Sequence, residues 1–238
     1  VVAPVGQGRT YLRSSTDNPA KIKIDEACAT FLAGHSSISL GMFADILVEN
    51  KFHAGDLMPV TNSVVRGKFR VAAPSWVRPE RALLFLNGTL VAVEPIHHAD
   101  KKPTDVQIEF TIPAPKHDAY LVCIALGDSV TEPFWPMDEE QTLAAINPVF
   151  LDADNDGVYR SPRETAKAIL ARTGKSFDSQ WDVLDKTEDD GIATQLLSLI
   201  FHDADALTKK EWRVRLQKSA GARPAFGNFL QLAGSADA

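Results

Sequence analysis

Only two cysteines, Cys28 and Cys123, occur in 238 residues. A disulfide framework is excluded by that count, and the redox compartment stays open. Each cysteine lies in a mostly apolar stretch, which predicts two buried free thiols. Long hydrophobic runs are missing as well: no window approaches about 18 consecutive apolar residues, so no membrane span is expected. Basic residues neither cluster nor predominate. With 25 Lys and Arg against 31 Asp and Glu the net charge is −6, which argues against a nucleic-acid binder that must neutralise phosphates. The six histidines include no pair spaced by one residue. No G-x-S-x-G, P-loop glycine pattern, G-x-G-x-x-G or Cys-x-x-Cys occurs, which removes the usual handles on serine-hydrolase, phosphate, dinucleotide and thiol-redox chemistry.

What is present describes a globular protein, with 45% hydrophobic and 24% charged residues. The pattern divides the chain into three parts. In residues 1–59, "IDEACATFLAG" reads as a helix with Asp25 as N-cap and Gly34 as its stop, and "SSISLGMFADILV" reads as extended. One helix and one or two strands cannot close a core, so this segment is expected to pack on something else. The N-terminal phrase "VVAPVGQGRTYLR" lacks the features of a secretory signal and reads as a cut from a longer polypeptide or as a processed end.

Residues 60–160 change to a period of two. "VVRGKFRVAA", "RALLFLNGTLVAVEPI", "VQIEFTI" and "DAYLVCIAL" are strands by alternation, with prolines, Pro79 among them, placed between the runs. Asn87-Gly88 predicts a hairpin, because both central residues of a primed turn need positive φ. Residues 161–238 read as helical: Ser161, Pro162 and Glu164 form a capping-box start, and Thr208 with Glu211 repeats the device. The expected fold is α+β, an immunoglobulin-like β-sandwich preceded by a helix/strand segment and followed by a small helical region.

Between the last two parts lies "DADNDGVYRSPRE". Asp152, Asp154 and Asp156 fall at positions 1, 3 and 5 of a twelve-residue calcium loop, Gly157 at 6, and the Val158 carbonyl at 7. Position 12 is Arg163, which cannot ligate, and Glu164 comes one residue late. If Glu164 reaches back to Ser161 it is spent as a cap. The candidate metal ligands are therefore Asp152, Asp154, Asp156, Val158 and Glu164, for a structural calcium. The alternative is an acidic turn feeding a capped helix, its aspartates bonded to local backbone. His97-His98 with Asp100, and His35, Asp45, His53 and Asp56 around the first strands, are weaker candidates that read as loop and packing residues. "PFWP", Pro133 to Pro136, reads as a rigid linker packed on the strands.

Taken in order, "GRTYLR" (Gly8 to Arg13), "DEACATFLAGHSSISLGMFADI" (Asp25 to Ile46), "LVCIALGDSVTEPFWP" (Leu121 to Pro136) and "INPVFLDADNDGVYRSPRE" (Ile146 to Glu164) resemble the C-terminal half of CehA/McbA-type metallohydrolases of the PHP superfamily. The resemblance covers roughly residues 5 to 170. It implies that residues 1–59 are the terminal segment of a PHP-like barrel and that an upstream catalytic barrel is this chain's partner. It also implies that manganese, zinc or iron in that barrel would activate water to attack an ester or phosphoester. The family's His-x-His and its late Gly-Ser/Asn-Asp-x-His type of motif have no counterpart in this sequence, so no catalytic residue carries over.

Two readings follow. One is a non-catalytic C-terminal region of a metal-dependent hydrolase of phosphoesterase or esterase type. The other is an independent β-sandwich binding module for carbohydrate or protein, which an exposed row of aromatics would favour. Trp76, Trp135, Trp181 and Trp212 lie instead in linkers and predicted helices, which favours the first. A soluble protein is expected in either case, and periplasmic, secreted and cytoplasmic locations and homo-oligomerisation all stay open.

Overall fold

The computed structural model describes residues 8–99, 101–130, 141–201, 214–215, 225 and 227–229. Asp100, the "PFWP" linker and the start of the helix expected from Thr208 lie outside the described residues, while Val214 and Arg215 within that expected helix are helical. The protein is mixed α+β and strand-rich, with 42% of the described residues in strands and 26% in helices. It divides into two compact units, residues 1–86 with 90–159, and residues 87–89 with 160–238.

Among its described residues the first unit holds eleven strands, one α-helix and a 3-10 turn at Pro19–Lys21. Strands β5 (Val64–Ala73), β6 (Val77–Leu86), β8 (Thr104–Pro113) and β9 (Ala119–Val130) realise the runs read from alternation. β7 (Thr89–Pro95) pairs with β6 across Asn87 and Gly88, at φ 49° and 84° as a primed turn requires. β6 begins earlier than expected. It runs through Pro79, with a register shift between Pro79 and Arg81, so this proline sits at an irregularity in the strand and not between strands.

Residues before Val60 do not form a separate segment. β1 (Gly8–Leu12), β2 (Ser36–Leu40) and β4 (Leu57–Pro59) join β6, β7, β9, β10 (Thr142–Ile146) and β11 (Val149–Asp152) in one eight-stranded sheet. β3 (Phe43–Val48) joins β5 and β8 in a second, three-stranded sheet. "SSISLGMFADILV" is thus two strands of different sheets, and the chain passes from one to the other at Gly41-Met42. A single hydrophobic cluster takes the alternate residues of both sheets, among them Ile46, Val65, Phe69, Leu121, Ala144 and Leu151. The boundary expected at residue 59 is crossed by backbone pairing: β2 with β10, β3 with β5, and β4 with β11.

Helix α1 (Ile24–Leu32) starts two residues earlier than the sequence pattern predicts: Lys23 is the N-cap, without a side-chain bond, and Asp25 lies inside the first turn. It ends as expected. Gly34, at φ 78°, donates to Phe31 O and His35 donates to Thr30 O, the paired bonds of a Schellman stop. No residue of α1 is buried, and Cys28 is exposed on it, unlike the buried Cys123, whose thiol is pushed up by desolvation.

The second unit holds α2 (Pro162–Ala171), α3 (Phe177–Lys186) and α4 (Asp190–Ile200), with Ser161, Ser176 and Asp189 as side-chain N-caps. Its own core gathers Trp181, Leu184, Ile192, Leu196, Leu197 and Phe201. Among the described residues no helix is long and apolar enough to cross a membrane.

Candidate functional site

The acidic loop leaves the end of β11. Antiparallel pairing places Leu151 opposite Ala119, so the next pair along brings Asp152 beside Asp118. Both carboxylates are nearly enclosed, at 2% and 5% exposure, and with Asp154 they offer oxygens within 4.8 Å of one another. Oxygens around a cation at about 2.3–2.6 Å lie this close, so the donor set fits calcium in kind and spacing. Backbone amides hold the carboxylates in place. Asp156 N and Gly157 N donate to Asp152 at 3.3 and 2.8 Å, and Ala153 N donates to Asp118 at 2.9 Å.

Asp156 and Glu164, also expected as ligands, make local bonds of their own. Asp156 Oδ1 accepts from Val158 N at 2.9 Å, closing a local turn, and Val158 is 55% exposed. Glu164 Oε2 accepts from Ser161 N and from Ser161 Oγ, both at 2.8 Å. The Ser161 amide, then its hydroxyl, hold the Glu164 carboxyl below the usual range. The capping box is complete, so Glu164 is engaged as a cap. Asp118 is the residue sequence reading missed. Only the register of two strands joins it to the loop, and no local spacing could have pointed to it.

The structure also gathers four residues read as scattered. The Schellman turn sets His35 so that its Nδ1 donates to Ala54 O at 2.7 Å, with Asp56 Oδ1 at 3.7 Å. His53 N donates to Asp56 Oδ2 at 2.7 Å, and His53 Nδ1 lies 3.8 Å from Asp45 Oδ1. Arg13 Nη1 is 4.0 Å from Asp56. Arg13, His35, Asp45 and His53 line a cavity of about 210 Å³. With Nδ1 engaged as a donor, neutral His35 carries its free lone pair on Nε2, the arrangement of a proton acceptor or a metal ligand. His97 and His98, by contrast, stand exposed in the loop after β7.

A larger cleft, about 510 Å³, shares Tyr11 and Phe43 as walls with this cavity. It opens where the chain changes sheets at Gly41-Met42, with Trp76 on its wall. Comparison of the chain with protein-family models, with curated proteins and with solved structures gave no match in any of the three.

Proposed function

We propose that this chain is the non-catalytic C-terminal region of a metal-dependent hydrolase of the PHP superfamily, of phosphoesterase or esterase type. In this reading the strand-rich unit is an immunoglobulin-like sandwich that docks on the upstream catalytic barrel and supports it. The observation that carries it is helix α1. Ile24, Phe31 and Leu32 are 80%, 57% and 84% exposed, and Ile22 just before the helix is 47% exposed. A contiguous apolar face of this kind marks an interaction surface. The phrase resembling the exit from a catalytic barrel includes this helix. A structural calcium held by Asp118, Asp152 and Asp154 would pin the ends of β9 and β11.

Four measurements test the reading. The coding sequence upstream of Val1 is expected to encode a His-x-His motif, and in the longer protein Phe31→Asp with Leu32→Asp should loosen the barrel's packing and lower its metal-dependent activity. The chain alone, supplied with manganese, zinc or iron, is expected to turn over neither aryl phosphates nor aryl esters. Metal-dependent turnover that disappears in His35→Ala would overturn the proposal and make the His35 cavity an active site. For calcium, calorimetry on metal-stripped protein should give weak binding that Asp118→Asn removes. Binding unchanged by that substitution would sink the assigned ligand set.

A further inference from the structure

The larger cleft has the two kinds of surface that sugars need. Tyr11 and Trp76 line it at 38% and 40% exposure, and Phe43 meets Tyr11 edge-to-face with ring centroids 5.1 Å apart. That contact fixes the Tyr11 ring on the wall, and an exposed ring face is a platform for the apolar C–H face of a pyranose. The polar groups are equally set. Arg70 donates to both oxygens of Asp105, from Nε at 2.8 Å and from Nη2 at 2.7 Å, so the carboxylate stands on the cleft wall in a fixed orientation. Each of its oxygens keeps a lone pair for a further donor.

Thr104 supplies an independent observation. It lines the same cleft, is 5% exposed, and its Oγ1 is a buried side-chain oxygen with no hydrogen-bond partner. Buried hydroxyls are nearly always paired, so an unmet one beside a cavity points to a group that comes from outside. A volume of about 510 Å³ lies in the usual range for small-molecule sites.

We infer that this cleft binds a neutral oligosaccharide, stacked on Tyr11 and Trp76 and hydrogen-bonded through Thr104, Asp105 and Arg9. Sugar hydroxyls both donate and accept, which matches a hydroxyl, a carboxylate and a guanidinium in one wall. A proline-rich peptide would also stack on the aromatics, but it offers carbonyl acceptors, and these meet only repulsion at the Asp105 carboxylate. An anionic ligand is disfavoured for the same reason. The site is separate from the exposed face of α1, so its failure leaves the docking proposal standing.

The test is calorimetry of the full chain with cellohexaose, xylohexaose, maltohexaose and chitohexaose, and with a decaproline peptide. At least one hexasaccharide should bind with a Kd of about 1 mM or tighter. Trp76→Ala should weaken that binding about tenfold or more, by removing the platform. Thr104→Val removes a hydroxyl that bonds to nothing in the protein, so it should weaken sugar binding while leaving the thermal midpoint unchanged or raised. That variant keeps the test decisive if Trp76→Ala fails to fold. Saturation by no hexasaccharide, sugar binding indifferent to Thr104→Val and Trp76→Ala, or Trp76-dependent binding of decaproline alone would each overturn the inference.

Discussion

Helices α1 and α4 are close in length, nine and eleven residues, and both are rich in apolar side chains. α4 buries Ile192, Ala193, Thr194, Leu196 and Leu197 among the helices of its own unit. α1 buries nothing. They differ at their starts too: Asp189 accepts from Ile192 N at 2.8 Å, whereas Lys23 caps α1 with no side-chain bond. The comparison teaches that apolar content alone does not say what a helix packs on. α4 is held by side chains its own unit supplies, whereas α1 runs through a Schellman stop directly into β2.

The strongest way to break the comparison is Leu197→Ala, at a fully buried position. It should cost about 2–5 kcal/mol in urea unfolding, by lost transfer energy and a cavity. A cost near zero would mean that the helical core is not packed as described. Next comes Ser161→Ala, which should lose about 0.5–2 kcal/mol through the cap of α2. The sign with pH follows from Glu164, whose folded carboxyl is held below its ordinary value by Ser161. Its contribution is full above the unfolded pKa and disappears as pH falls through the lowered folded one. Stability curves of the parent protein and Glu164→Ala should therefore converge in acid and separate toward neutral pH.

Smaller effects sharpen the contrast. Lys23→Ser should stabilise α1 by about 0.5–1 kcal/mol, because Glu26 already occupies the third helical position needed for a capping box. Loss of helix signal in that variant would refute the assigned start. Leu32→Ala, at 84% exposure, should change the stability of this chain by no more than about 0.5 kcal/mol. A larger loss would mean that α1 is covered within the chain itself.

Local chemistry was legible where one short phrase carries the whole cause. Alternation marked β5 and β8, Asn87-Gly88 marked a turn, and Ser161 with Glu164 marked a capped start. Glu49 and Asn50 also take positive φ, 48° and 54°, in the link leaving β3. Glutamate does not advertise such a turn, and its carboxylate here accepts from the distant Arg66 N at 2.7 Å. Long-range register was illegible for the same reason. Nothing near Asp152 indicates Asp118, and nothing in "SSISLGMFADILV" tells that its halves serve different sheets. The histidines follow no regular spacing, yet a Schellman turn and a short loop bring His35 and His53 to one cavity.

The pairing of β2 with β10 has a consequence for how the chain is made. Ile38 is matched to Ala145, so about a hundred residues must be synthesised before that edge of β2 finds its neighbour. At about 5–20 residues per second the wait lasts roughly 5–20 s, during which β1 can cover only the opposite edge. An open strand in a nascent chain is a template for wrong pairing with its neighbours on the same message. β2 reads Ser-Ser-Ile-Ser-Leu, and its serines become buried only when the unit closes. Three hydroxyl side chains in five residues give the waiting edge little apolar surface to offer another nascent strand.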